Sequence, residues 1–142
     1  MFFGCIKLKL IKGINNFNTL KVTKTNQMFQ NCKELEFLDL SKFQTSNITD
    51  MQFMLYGCNK LKEIKGIISF NTINVEKMDS IFDGCNELEY LDLSKFQTNK
   101  VTDMENMFSG CNKLRKIKGL NNFNTINVSN MSGMFQDCKD LE

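Results

Sequence analysis

The 142-residue chain contains no histidine. Histidine is the commonest general base in enzymes and a frequent zinc ligand, so its absence argues against hydrolytic and metal chemistry. The six cysteines never approach a Cys-x-x-Cys spacing, and the paired-cysteine motif of zinc sites is therefore absent too. We expect a protein that is not an enzyme and that holds no cofactor or metal.

Two further absences concern membranes and nucleic acids. No apolar run comes near the roughly 18 residues of a membrane-spanning helix, and the amino end has no charged-then-apolar leader. The formal net charge is only +2, and the lysines do not gather into one stripe. We expect no membrane span, no export signal in this sequence and no nucleic-acid partner.

The cysteines mark a repeat. They are separated alternately by 27 and 26 residues, at Cys5, Cys32, Cys58, Cys85, Cys111 and Cys138. A period in this range is typical of a solenoid, in which each coil buries its apolar face against its neighbours. The sequence therefore predicts a single solenoid domain over residues 1–142, with about five coils.

Long and short coils alternate, so that the true unit is a pair of coils. The long coils follow Cys5, Cys58 and Cys111 and carry one extra residue before the next phenylalanine. A glycine stands there in place of the second leucine of the predicted strand, at Gly13, Gly66 and Gly119. We expect the sheet to be irregular at these glycines.

Within a coil, two apolar periods follow one another. After each cysteine apolar residues alternate with others, as at Leu38 and Leu40, which predicts a short strand that pairs in parallel with the next coil. Further along they recur at helical spacing, as at Met51, Met54 and Leu55, which predicts a short helix. The predicted fold is an α/β solenoid with one parallel strand and one short helix per coil of 26 or 27 residues.

Two other columns point to the core. One phenylalanine follows each predicted strand, and we expect these five rings to stack in the core: Phe17, Phe43, Phe70, Phe96 and Phe123. One cysteine per coil in a single column favours buried thiols, with disulfides and a metal site as the alternatives. Coils separated by a helix diameter, roughly 10 Å, would lie beyond the roughly 7 Å Cα separation of a disulfide.

Charged residues also form columns, and their sign alternates from coil to coil, as at Glu34, Lys60, Glu87 and Lys113. Such columns are interpreted either as ion-pair ladders between coils or as a charge-striped ligand surface. Neither end of the chain carries the polar cap of a solenoid, and the first coil is basic and the last acidic. We expect uncapped ends, a fragment of a longer array and weak head-to-tail self-association.

The consensus reads Met-Phe-x-x-Cys-x-x-Leu-x-x-Leu-Asp-Leu-Ser-x-Phe-x-Thr-x-x-Val-Thr-x-Met, most clearly around Met107, Cys111 and Leu91. In this pattern the chain resembles the BspA-like leucine-rich repeats of bacterial surface proteins and mycoplasma lipoproteins. The resemblance implies a leucine-rich-repeat-like solenoid, a role in adhesion or protein binding, and a cell-surface or secreted location. It implies no catalytic residues.

We therefore expect a non-catalytic interaction or adhesion module that binds a protein or cell-surface ligand through its strand face. The alternative is a purely structural spacer or self-associating rod. Phe37 and Tyr90 are the predicted anchors, because aromatic side chains dominate binding hot spots. The column that contains them is the least regular on the strand face, which favours binding. The full set of candidate partner-binding residues is Phe37, Asp39, Glu63, Lys65, Tyr90, Asp92, Lys116 and Lys118.

Overall fold

Short parallel strands line one side of the solenoid. The computed structural model describes residues 1–142 as stacked coils, with four strands: β1 (Phe37–Asp39), β2 (Glu63–Lys65), β3 (Tyr90–Asp92) and β4 (Lys116–Lys118). Strand β1 pairs with β2 and strand β3 pairs with β4, both in parallel, with Leu38 opposite Ile64 and Leu91 opposite Ile117. No helix in this structure combines the length and the apolar character needed to cross a bilayer.

The strands do not form one continuous sheet, contrary to the prediction of one strand per coil. The coil that follows Cys5 has no strand, and β2 and β3 are not hydrogen-bonded to each other. Both interruptions follow a long coil. In the long coil after Cys58, Gly66 has a left-handed φ of 88° and leads into a 3₁₀ helix, Ile67–Ser69. The irregularity predicted at the glycines is confirmed.

The predicted short helices are not formed, and consecutive turns stand in their place. From Met51 to Gly57, alternate N–H groups donate to carbonyls of the next coil at 2.7–3.1 Å. The N–H groups between them close turns, as when Met54 donates to the Met51 carbonyl at 3.2 Å. Hydrogen-bonded coils lie too close together for an α-helix, whose diameter is roughly 10 Å.

Hydrogen bonds join all the coils on the side away from the strands. A column of parallel bridges runs without interruption through Lys24, Asp50, Lys77, Asp103 and Asn130. Buried threonines add a second column, in which the Thr72 hydroxyl donates to the Gln97 carbonyl at 2.9 Å and accepts from the Gln97 N–H at 2.7 Å. The stack is therefore continuous on these sides and interrupted only on the strand face.

The core contains 32 buried hydrophobic residues and includes a stack of aromatic rings. Phe108 stacks on Phe82 and Phe135, with centroids 5.6 and 5.5 Å apart. These rings stand three residues before the cysteines, where hydrogen bonds hold adjacent coils in register. The predicted stack was wrong in its column, because Phe43 and its equivalents form no stacked pair, although the middle three are buried.

The predicted column of core thiols is confirmed in the middle coils, where Cys32, Cys58, Cys85 and Cys111 are free and fully buried. Each thiol donates to a carbonyl of the preceding coil, as Cys58 Sγ does to Phe29 O at 3.1 Å. Burial raises the pKa of Cys58 to about 12. The expected 10 Å separation of the coils was wrong, because each coil has turns in place of a helix and is hydrogen-bonded directly to the next coil.

Ion pairs join each short coil to the long coil that follows it, and the ladder interpretation is confirmed within these pairs of coils. Distances run from 2.7 to 3.5 Å for Lys60–Glu34, Lys62–Glu36, Lys65–Asp39, Lys113–Glu87 and Lys118–Asp92. At least half of each lysine side chain is exposed, and such pairs contribute about 0–1 kcal/mol each. One buried phenylalanine contributes about 3–5 kcal/mol, so the core and not the ladder dominates stability.

Asp83 offers a test of burial on the turn side. Its half-buried carboxyl receives no hydrogen bond, and burial raises its pKa to about 6. Because the folded state disfavours the charged form, the contribution of Asp83 to stability is fully present below the ordinary pKa of 3.8 and is lost as pH rises to about 6. Replacing Asp83 with Asn should therefore raise the free energy of unfolding at neutral pH by about 1 kcal/mol, after allowance for partial exposure.

Urea unfolding at about pH 7 and about pH 3.5 measures this difference, because the gain should vanish at the lower pH. The exposed Asp137 provides the control, and Asp137→Asn should leave stability unchanged at both pH values. An equal gain from Asp83→Asn at both pH values would contradict the role assigned to charge burial.

Candidate partner-binding groove

A groove of about 560 Å³ opens on the strand face between β2 and β3. This volume lies within the roughly 300–1,000 Å³ range of ligand sites in proteins. Both strands and the 3₁₀ helix contribute to its walls. The lining residues are Lys62, Glu63, Ile64, Gly66, Ile67, Ile68, Glu87, Glu89, Tyr90, Leu91 and Asp92.

Gly66 brings the long coil close to the short coil before it. A Cβ atom at this position would lie 2.4 Å from Ser41 Cα and 2.5 Å from Ser41 N, which no side chain could occupy. The 3₁₀ helix that follows places Ile67 and Ile68 along the groove. The extra residue thus packs the long coil closely against the coil of β1, and the groove lies on its other side, toward β3.

The backbone is incompletely paired across the groove. At the neighbouring interfaces one N–H bridges the coils just before the strands, as from Lys62 to the Glu36 carbonyl and from Arg115 to the Glu89 carbonyl, both at 3.0 Å. The equivalent bond from the Glu89 N–H to the Lys62 carbonyl is not formed, and neither group has another partner in the protein. These two groups stand just before β2 and β3, and they leave one backbone donor and one backbone acceptor at the groove.

The groove is rich in carboxylates. Glu87 is paired with Lys113 at 2.7 Å, and Asp92 with Lys118 at 3.2 Å. The one lysine of the groove, Lys62, is paired with Glu36, which lies outside it. Glu63 and Glu89 make no ion pair and no side-chain hydrogen bond, although Lys113, which pairs with Glu87, lies close enough to Glu89 to interact with its charge. The groove therefore contains two carboxylates without a direct cationic partner.

Tyr90 stands at the edge of this site, with half of its surface exposed. Its hydroxyl lies 3.4 Å from Asp92 Oδ2. Hydrogen bonds from the Ser94 hydroxyl, at 2.6 Å, and from the Ser94 N–H, at 3.0 Å, lower the pKa of Asp92 to about 2. Asp92 therefore stays ionised at any physiological pH, and the floor beneath these polar groups is apolar, since Ile64 and Leu91 are buried.

The structure distributes the eight predicted partner-binding residues over all four strands. In β1 and β2, Phe37 lies opposite Glu63 and Asp39 opposite Lys65; in β3 and β4, Tyr90 lies opposite Lys116 and Asp92 opposite Lys118. The groove brings together Glu63, Tyr90 and Asp92, while the other five lie outside it.

Two findings on the strand face differ from the sequence prediction. Phe37, predicted to be an exposed anchor, is half-buried. Glu87, Glu89 and the isoleucines of the 3₁₀ helix were not among the predicted residues, although they line the groove. The signal that could have found them was the extra residue at Gly66, which marks where the sheet opens.

The family described as "Mycoplasma protein of unknown function, DUF285" matches the chain twice, over residues 1–76 and 59–142. The chain belongs to this family. The predicted resemblance to BspA-like leucine-rich repeats is confirmed by this match and by the fold. No curated protein matches the DUF285 chain in sequence.

Among solved structures, the chain is similar in fold to a leucine-rich cell surface protein of Faecalibacterium prausnitzii A2-165. The TM-score is 0.50 at 19% identity, over 82% of this chain and 34% of that one. The DUF285 chain thus spans about a third of the length of that protein. A leucine-rich repeat protein of T. pallidum is also similar, with 18% identity over 95% of this chain and 76% of that one and a TM-score of 0.38. The fold is a leucine-rich-repeat solenoid.

Proposed function

We propose that this DUF285 chain is a non-catalytic interaction module of a surface or secreted protein, which binds a protein or cell-surface ligand through its strand face. The observation that carries the proposal is the groove between β2 and β3. The F. prausnitzii protein, described as a cell surface protein, supports the proposed location.

The chemistry of the groove suits recognition. An apolar floor of Ile64 and Leu91 lies beneath ionised side chains and beside the exposed ring of Tyr90. Binding sites combine these parts, because apolar area supplies affinity while a few polar groups fix orientation. Tyr90 is the proposed anchor, since tyrosine is enriched in hot spots.

The alternative function, a structural spacer, is less well supported. A spacer is expected to be equally regular on every face, since it presents no ligand site. Here the bridges from Lys24 to Asn130 are continuous, whereas the strand face is interrupted between β2 and β3. This asymmetry favours binding at the strand face.

Selection of a random peptide library on the immobilised chain tests the proposal without knowledge of the natural partner. Peptides that bind should lose about tenfold or more in affinity for the Tyr90→Ala variant, as expected for a hot-spot residue. Ile73 is the matched control, because its side chain is 46% exposed, against 50% for Tyr90, and lies outside the groove. An equal loss of affinity in Tyr90→Ala and Ile73→Ala would count against binding at the strand face. So would selected peptides whose affinity does not change in Tyr90→Ala.

A further inference from the structure

We infer that the groove takes a short extended segment of a basic protein, with a lysine or arginine side chain between Glu63 and Glu89. This inference rests on the proposed function, because it names the chemistry of the partner for the same groove. Three observations support it: the two carboxylates without an ion pair, the exposed ring of Tyr90 over an apolar floor, and the two unpaired backbone groups.

The charge of the groove selects a cation. Glu63 and Glu89 line the groove from the two coils on either side, and neither carboxylate is in an ion pair. Lys62, the one lysine that lines the groove, is paired with Glu36 at 3.0 Å instead. Complementary charge attracts a basic partner, and the same carboxylates repel an acidic one, so the groove discriminates in both directions.

The remaining surfaces suit the rest of a long basic side chain. Lysine and arginine lay their methylene stems along apolar surface while the charged head stays near water. The half-buried Ile68 offers such a surface, with the buried Ile67 beside it. The half-exposed ring of Tyr90 offers a face to a guanidinium or ammonium group, an attraction that is effective within about 6 Å of the ring centre.

The unpaired backbone groups favour an extended backbone in the partner. The Glu89 N–H and the Lys62 carbonyl provide one free donor and one free acceptor at the end of the groove. A peptide in extended conformation offers alternating carbonyl and N–H groups to such partners. Since only two backbone groups are free, the complementary segment should be a few residues long.

Two synthetic peptides test the inference: acetyl-Thr-Val-Arg-Val-Thr-amide and its counterpart with Glu at the centre. Each is titrated into the uniformly ¹⁵N-labelled chain, and backbone amide shifts are followed by NMR. The Arg peptide should shift amides in residues 62–66 and 87–92 and bind about tenfold more tightly than the Glu peptide.

The variant Glu63→Gln with Glu89→Gln should bind the Arg peptide about tenfold more weakly, through the loss of two partly exposed charge interactions. The control carries Glu76→Gln with Asp137→Asn, which removes the same charge from exposed sites outside the groove. Its affinity should match that of the unmodified chain. Added salt should weaken the binding of the Arg peptide more than that of the Glu peptide.

Four results would overturn the inference. Equal binding of the two peptides at residues 62–66 and 87–92 would do so while leaving the proposed function standing. Unchanged affinity in the double Gln variant, or shifts confined to other faces, would show that the two carboxylates do not receive the cation. Absence of binding at millimolar peptide would overturn it as well, whereas the proposed function depends on the separate Tyr90→Ala comparison.

Discussion

Replacing Gly66 with alanine is expected to destabilise the protein by roughly 3–4 kcal/mol, near the upper end for single substitutions. The added Cβ would lie 2.4 Å from Ser41 Cα and 2.9 Å from Leu40 C, both of them backbone atoms that cannot move aside like a flexible side chain. The φ of 88° adds a conformational cost of about 1–2 kcal/mol for any L-residue. Urea unfolding followed by circular dichroism measures the loss.

Gly13 separates the two contributions. It occupies the same position in the first long coil with a φ of 77°, but a Cβ there would meet only the Asn16 side chain, at 3.6 Å. Gly13→Ala should therefore cost only the conformational term, about 1–2 kcal/mol. If both substitutions cost the same, close packing of the long coil onto the short one is not what requires glycine at position 66.

Replacing Phe108 with alanine is expected to cost about 3–5 kcal/mol, the range for a buried phenylalanine that leaves a cavity. Its ring is fully buried and stacks on both Phe82 and Phe135, at 5.6 and 5.5 Å. The two stacking contacts add to the loss, since each such pair contributes about 0.5–1.5 kcal/mol beyond area burial. Thermal and urea unfolding measure the effect.

The chain supplies its own controls for this substitution. Leu55 occupies the equivalent position in another coil, so Phe108→Leu introduces a residue that the column already accommodates. The substitution should cost about 1–3 kcal/mol through the loss of both stacking contacts, which is less than the cost of Phe108→Ala. Phe3 is 57% exposed, and Phe3→Ala should cost less than about 1 kcal/mol. A Phe108→Leu variant as unstable as Phe108→Ala would show that shape, and not apolar volume, dominates this column.

The groove and the stability of the stack have a common origin in the alternation of coil lengths. Ion pairs and strand hydrogen bonds join a short coil to the following long one, through contacts such as Lys65–Asp39. Beyond the long coil the strands part, while turn and threonine hydrogen bonds keep the stack intact. A solenoid can therefore open on one face without losing cohesion, because its other faces are bonded independently.

Much of the architecture was accessible from the sequence, because stacking places equivalent residues of successive coils in columns. The cysteine spacing predicted the coil, the alternation at Leu38 and Leu40 predicted β1, and the opposed charges predicted pairs such as Lys60–Glu34. The glycine column also predicted an irregular sheet. Each of these follows from the spacing of residues along one coil and its repetition in the next.

The candidate groove was only partly accessible. Tyr90, Asp92 and Glu63 were selected because they stand on the strand face, and that placement holds. Glu89 was missed, because it belongs to a charge column and was expected to form an ion pair with a neighbouring coil. The structure shows no such pair for Glu89. The coils of Glu89 and Arg115 are in direct contact, since the Arg115 N–H donates to the Glu89 carbonyl at 3.0 Å and Lys113 pairs with Glu87 between the same coils. Whether a given charged pair forms therefore depends on the directions of its two side chains, which spacing along the chain does not report.

By itself the sequence determined the period, the inward-facing residues and the pairing of short with long coils. The tertiary structure alone decided between helix and turns, because both conformations turn residues three and four apart, such as Met51, Met54 and Leu55, toward the core. The choice depends on whether an N–H bonds within its own segment or to the next coil. The opening between β2 and β3 was decided at the same level, since strand pairing is a contact between coils.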